Sequence, residues 1–142
     1  IFAMRHPCDI VTSCFFSSFK INDAMLNFLK VEDTIDFYNK VMDLFDSYKE
    51  ELNLNYYLIK YEDIVCNFKN QVCLLLEFLD LKYEKKLEVF FKTAQKRSKI
   101  STPSYDQVIN PLYHDSIGRW KNYKELSNLP NYLDTWIKKY NY

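Results

Sequence analysis

Glycine is nearly absent: Gly118 is the only one in 142 residues. A loop that cradles phosphate through its backbone N–H groups, of the P-loop or the dinucleotide type, needs several glycines in a short span. No such loop is encoded between Ile1 and Tyr142. A surplus of one charge is lacking too. With 19 basic and 19 acidic side chains the formal net charge is +0, so no overall basic field favours nucleic acid or an anionic membrane. No apolar run approaches the roughly 20 residues of a membrane span. The first apolar stretch also runs straight into Arg5, unlike a secretory signal. Cys8, Cys14, Cys66 and Cys73 form no C-x-x-C pair, and the two histidines supply no ligand spacing, which argues against a zinc site. All four read as small buried thiols in a reducing compartment, taken here as the cytoplasm.

What is present is enough for one domain at most. Hydrophobic residues make up 48% of the chain, with 12 Tyr and 11 Phe among them, which is material for an aromatic core. Phe2-Ala3-Met4 reads as a buried strand ending at Arg5, and Pro7 suits the first turn of a helix that the spacing of Ile10, Val11, Cys14, Phe15 and Phe19 carries to about Phe19. Ala24–Leu29 predicts a further turn or two. Asp33 is expected to cap a long helix whose stripe runs Ile35, Tyr38, Val41/Met42, Phe45, Tyr48 and Leu52. Asn53 and Asn55 mark a turn into a second strand over Tyr56–Tyr61. Glu62 and Asp63 then open a helix bearing Val65, Phe68, Val72 and Leu75. Another amphipathic segment spans Tyr83–Ala94, and a last helix rests on Leu133, Trp136, Ile137 and Tyr140. Between them, residues 95–121 form a long non-periodic stretch rich in hydroxyls and aromatics, the kind of loop that usually carries function.

These elements predict an α/β class: parallel strands flanked by helices, mostly helical in this chain. Two strands alone leave edges that domains normally pair or cover. The missing strands, and any phosphate loop, are expected to precede Ile1. An arginine at a strand's carboxyl end and a hydroxyl two turns into the next helix can converge on one anion, and ligands bind open α/β sheets at that end.

Several motifs bear a family resemblance. Arg5-x₇-Ser13, with Asp9 between, resembles the 3′-phosphate-binding strand and helix of sulfotransferases that use 3′-phosphoadenosine 5′-phosphosulfate (PAPS). Tyr61-Glu62-Asp63-Ile64 is similar to the family's second nucleotide-side motif. Ser104-Tyr105-Asp106-Gln107-Val108-Ile109-Asn110-Pro111, followed by Ser116-Ile117-Gly118-Arg119-Trp120, resembles the cofactor-covering loop of protein-tyrosine sulfotransferases. Thr102-Pro103-Ser104-Tyr105 and Pro111-Leu112-Tyr113 look closest to bacterial sulfotransferases that carry tetratricopeptide repeats upstream. The likeness runs from Phe2 to Tyr123.

The resemblance implies the C-terminal half of a P-loop-like sulfotransferase domain spanning 1–142, with the 5′-phosphosulfate loop and the catalytic base in a preceding half. It implies PAPS as sulfuryl donor without a metal. The acceptor would be a protein tyrosine, a glycan or a small molecule. Arg5, Ser13, Tyr61, Ser104, Tyr105, Ser116, Gly118 and Arg119 become cofactor-binding residues, with Ser104 beside the transferring sulfuryl group. Gly118 is expected to admit a close approach of backbone to phosphate. One departure stands out: protein-tyrosine sulfotransferases have a second arginine four residues after the serine, where this chain has Ser17. Two other classes fit the same residues: an ATP-type kinase of similar build, and a helical interaction module with an aromatic surface.

Overall fold

The structure, a computed structural model, describes residues 1–96 and 109–142. Among them are two short strands and six α-helices. They are β1 (Phe2–Met4), α1 (Pro7–Phe16), α2 (Val31–Glu51), β2 (Leu58–Lys60), α3 (Tyr61–Cys66), α4 (Phe68–Phe78), α5 (Phe90–Gln95) and α6 (Leu129–Lys139). The chain falls into two compact units: Ile1–Met4 with Tyr57–His114, and Arg5–Tyr56 with Asp115–Tyr142.

In the first unit β1 and β2 run parallel, with Phe2 opposite Leu58 and Met4 opposite Lys60. Their carboxyl ends therefore fall together. Met4 and Ile59 are buried, and because Met4 pairs with Lys60 and Ile59 with Ala3 they lie on opposite faces of the pair. The observed α/β class is thus a small parallel sheet within a mostly helical chain.

The second unit is built on three helices, with α1, α2 and α6 in mutual contact. Cys8 and Val11 from α1, Ile35, Tyr38 and Met42 from α2, and Leu129, Leu133 and Trp136 from α6 form its core. Trp136 Nε1 is satisfied there by donating to Asn39 Oδ1 at 2.9 Å. Thr34 fixes the start of α2, its buried hydroxyl donating to the Lys30 and Asn27 carbonyls.

Local chemistry explains several helix ends. Pro7 opens α1, and His6 Nδ1 accepts from the Cys8 N–H at 3.2 Å, satisfying one of the orphan donors. Scarcity of glycine leaves its mark at three helix C-termini. Asn53, Asp80 and Asn141 take the left-handed position (φ 45°, 54° and 53°) after α2, α4 and α6. In each case the next residue bonds back across the helix end: Leu54 to Lys49, Leu81 to Leu76 and Tyr142 to Ile137. These are Schellman closures made with Asn and Asp, the side chains that tolerate this conformation best after glycine.

Several sequence expectations need correction. Helix α1 stops at Phe16 rather than Phe19, because Ser17 is extended (φ −81°, ψ 133°). The turn expected within Ala24–Leu29 is present, as a 3₁₀ turn over Met25–Phe28. Lys30, not Asp33, is the N-cap of α2, and Asp33 lies within its first turn, where the dipole still favours it. The distal α2 stripe faces outward: Val41 is 47% and Leu52 63% exposed. The helix expected from Glu62 onward is two helices, because Asn67 (φ −146°, ψ 64°) breaks it. Residues 83–94 likewise divide into a 3₁₀ turn over Lys85–Val89 and the short α5. Of the cysteines only Cys8 is buried, and Cys66 is exposed. Among the described residues no helix is long and apolar enough to cross a membrane.

Titration of the second unit's core should be visible in its stability. Burial pushes the Cys8 thiol up from 9.0 to about 12, with the Asp9 carboxylate adding to the shift. Burial, then Asp46 and Tyr56, raise Tyr140 from 10.0 to about 12. Tyr38 is raised as well, first by burial and then by Tyr140 and Cys8. Each folded-state pKa lies above its unfolded value, so the unfolded chain releases these protons first as pH rises. The stability is intact below the unfolded pKa of Cys8, 9.0, and is lost progressively toward about 12. Denaturant midpoints should be level up to about pH 9 and then fall, more shallowly in Cys8→Ala. An identical fall in that variant would remove Cys8 from the account.

Candidate functional site

Arg5 leaves β1 and α1 begins two residues later, so Arg5, Asp9 and Ser13 recur at intervals of four along one side of the entry to the helix. The Asp9 side chain is 0% exposed. A carboxylate buried this deeply costs several kcal/mol unless donors replace its water. Those donors come from the far end of the chain. Asp9 Oδ2 accepts from the Gly118 N–H at 2.7 Å, and Oδ1 accepts from the Trp120 N–H at 3.0 Å. Arg5 Nη2 stands 3.9 Å from Oδ2 and also donates to the Ser116 carbonyl.

The loop held in this way is shaped by Gly118, whose φ of +70° is left-handed. A Cβ there would meet Lys121 Cδ at 3.7 Å, an ordinary contact. Glycine is therefore required for conformation and not for space. Since the Gly118 N–H is taken by Asp9, the expected close approach of a phosphate to this residue is not what its geometry serves.

The following residues form a 3₁₀ turn over Arg119–Asn122. Arg119 is exposed and its Nη2 donates to the Tyr123 hydroxyl at 3.3 Å. The Tyr123 ring in turn packs on Phe16 of α1, with centroids 4.7 Å apart. Asp9 and Phe16 thus both touch residues 118–123, and half-buried Ser13 lies between them on the same helical stripe. Ser17, just past the end of α1, bonds back onto the helix, its hydroxyl donating to the Ser13 carbonyl at 2.6 Å. Asp9 thus ties Arg5 to the loop that carries Ser116, Gly118 and Arg119, and Ser13 lies one turn further along α1.

In the first unit, Tyr61 begins α3 immediately after β2. Its hydroxyl donates to the Tyr113 carbonyl at 3.0 Å, so it braces the backbone at that residue. Gln95 makes a similar brace to the Ile109 carbonyl at 2.8 Å. Ser104 and Tyr105 lie outside the described residues. Glu62 and Asp63 occupy the first turn of α3, the position expected of dipole-stabilising carboxylates. His114 is exposed, while His6 stacks near Trp120 and meets Tyr142 edge-on.

A separate cleft of about 310 Å³ in the second unit is lined by Ile35, Leu129 and Tyr132 with Glu32, Asp36 and Glu125. Three carboxylates and no cation border it, which suits a phosphorylated nucleotide poorly. It contains none of the residues that the family resemblance marks as cofactor-binding. Among the described residues no three His, Cys, Asp or Glu side chains are grouped to hold a metal ion.

Sequence reasoning noted Asp9 only as lying between Arg5 and Ser13 and missed its hold on Gly118 and Trp120. One signal pointed to it. Asp9 is flanked by Cys8, Val11 and Thr12 on the buried stripe of α1, where a carboxylate must find donors. No family model, curated protein or solved structure matches this chain.

Proposed function

We propose that this chain is the C-terminal half of a PAPS-dependent sulfotransferase domain and supplies the 3′-phosphate and adenine side of the cofactor site. The observation that carries this reading is the corner in which Arg5 and the Ser116–Arg119 loop, separated by 111 residues for the Arg5–Ser116 bond, meet around one buried carboxylate. A 3′-phosphate carries nearly two negative charges, and a guanidinium can bind it through paired N–H donors. Arg5 and Arg119 supply that fork chemistry, and Ser13 adds a hydroxyl on the intervening stripe. Tyr61 belongs to the adenine side. By the family resemblance Ser104 and Tyr105 are cofactor-binding residues as well, with Ser104 assigned a place near the sulfuryl group.

In the reaction the acceptor hydroxyl oxygen forms a bond to sulfur as the bond from sulfur to the 5′-phosphate oxygen breaks. Adenosine 3′,5′-bisphosphate leaves, and the acceptor proton passes to a base in the preceding half of the domain. Such transfers depend chiefly on positioning and charge stabilisation. This chain's share is to orient the donor by its nucleotide end.

Calorimetry on the full-length protein tests the assignment. Adenosine 3′,5′-bisphosphate should bind at least about tenfold more tightly than ATP, because each hydrogen bond to a charged phosphate is worth roughly 1.5–3 kcal/mol. Tighter ATP binding would favour the kinase, and binding of neither would leave the helical interaction module.

A further inference from the structure

We propose that Asp9 is the positioning residue of the 3′-phosphate anchor, setting both arginines through one buried carboxylate without touching the nucleotide itself. The inference rests on the cofactor reading above. Three groups converge on Asp9: the Gly118 N–H on Oδ2, the Trp120 N–H on Oδ1, and the Arg5 guanidinium beside Oδ2. The two amides bracket Arg119. By holding the N–H groups of the residues on either side, Asp9 fixes where the Arg119 backbone lies, and the side chain extends from there to Tyr123. Arg5 is held from two sides, by Asp9 and by the Ser116 carbonyl of the same loop. Arg5, the first turn of α1 and the loop are therefore tied together at this carboxylate.

The charge has a further consequence. A carboxylate with two amide donors and one cation leaves the corner with net positive character from Arg119, since Asp9 and Arg5 offset each other. Removal of the Asp9 charge would free positive potential yet lose the geometry. The two effects oppose each other, and geometry should dominate, because paired recognition of a phosphate tolerates little displacement.

The test uses the full-length protein and two probes, adenosine 3′,5′-bisphosphate and AMP, which lacks the 3′-phosphate. In Asp9→Asn the side chain keeps its shape but turns an N–H₂ toward donors that need an acceptor. Its bisphosphate affinity should fall at least about tenfold while AMP affinity holds, collapsing the ratio between them. A carboxylate that only stabilised the fold would weaken both nucleotides together or neither. Hydrogen exchange on the unsubstituted protein gives a second readout that does not depend on the variant folding. Binding and the clasp are linked reciprocally, so bisphosphate should slow exchange at the Gly118 and Trp120 amides more than AMP does. An unchanged affinity ratio in folded Asp9→Asn, or equal protection by the two nucleotides, overturns the positioning role while leaving the anchor intact. Equal affinity of the unsubstituted protein for both nucleotides removes the anchor reading itself, and this role with it.

Discussion

Replacing Arg5 by alanine in the full-length protein should weaken adenosine 3′,5′-bisphosphate binding at least tenfold, from the loss of charged hydrogen bonds worth roughly 1.5–3 kcal/mol each. The side chain is 21% exposed, so solvent screening trims the electrostatic part without erasing it. The same guanidinium also touches Asp9 and the Ser116 carbonyl, so the variant loses order in the loop as well as a phosphate ligand. Arg5→Lys separates the two effects. It keeps the charge but presents a single ammonium in place of a planar fork, and should recover only part of the affinity. AMP provides the control, because it has no phosphate for Arg5 to hold. Calorimetric titration of both nucleotides against the three proteins gives the comparison, and unchanged bisphosphate affinity in Arg5→Ala sinks the anchor.

The largest effect on stability is expected at Leu133. This residue is 0% exposed and sits on α6 where that helix meets α1 and α2. Truncation to alanine removes buried apolar atoms and leaves a cavity that three packed helices cannot fully close, at a cost of about 3 kcal/mol. For a domain of this size that corresponds to a melting temperature lower by roughly 10 °C. Leu133→Met conserves volume and should cost less than about 1.5 kcal/mol. Denaturant unfolding with tryptophan fluorescence measures both, since Trp136 lies on the same buried face. A loss of under about 1 kcal/mol in Leu133→Ala would mean that this core is looser than its burial indicates.

Much of the local structure was legible in the residues. The strand–Arg–Pro–helix entry at residues 2–16 could be read from an apolar run, a cation and a proline suited to the first turn. The parallel pairing partner at Leu58–Lys60 was marked by β-prone residues after the Asn53 turn. The final helix followed from the spacing of Leu133, Trp136 and Tyr140. Boundaries were less legible. Nothing in periodicity announces that Asn67 breaks one amphipathic run into α3 and α4. Nor does the α2 stripe show by itself that Met42 is buried while Leu52 is exposed.

The sequence by itself determined what neighbouring residues dictate. It encodes no glycine-rich phosphate loop, it starts helices where Pro7 allows, and with a single glycine it leaves left-handed helix ends to Asn and Asp. Only the tertiary structure decided what Asp9 is for. Its partners lie 109 and 111 residues away, and they meet it only once α1 has packed beside the Gly118 turn. A buried carboxylate announces a need for donors, and folding alone chooses which distant amides supply them.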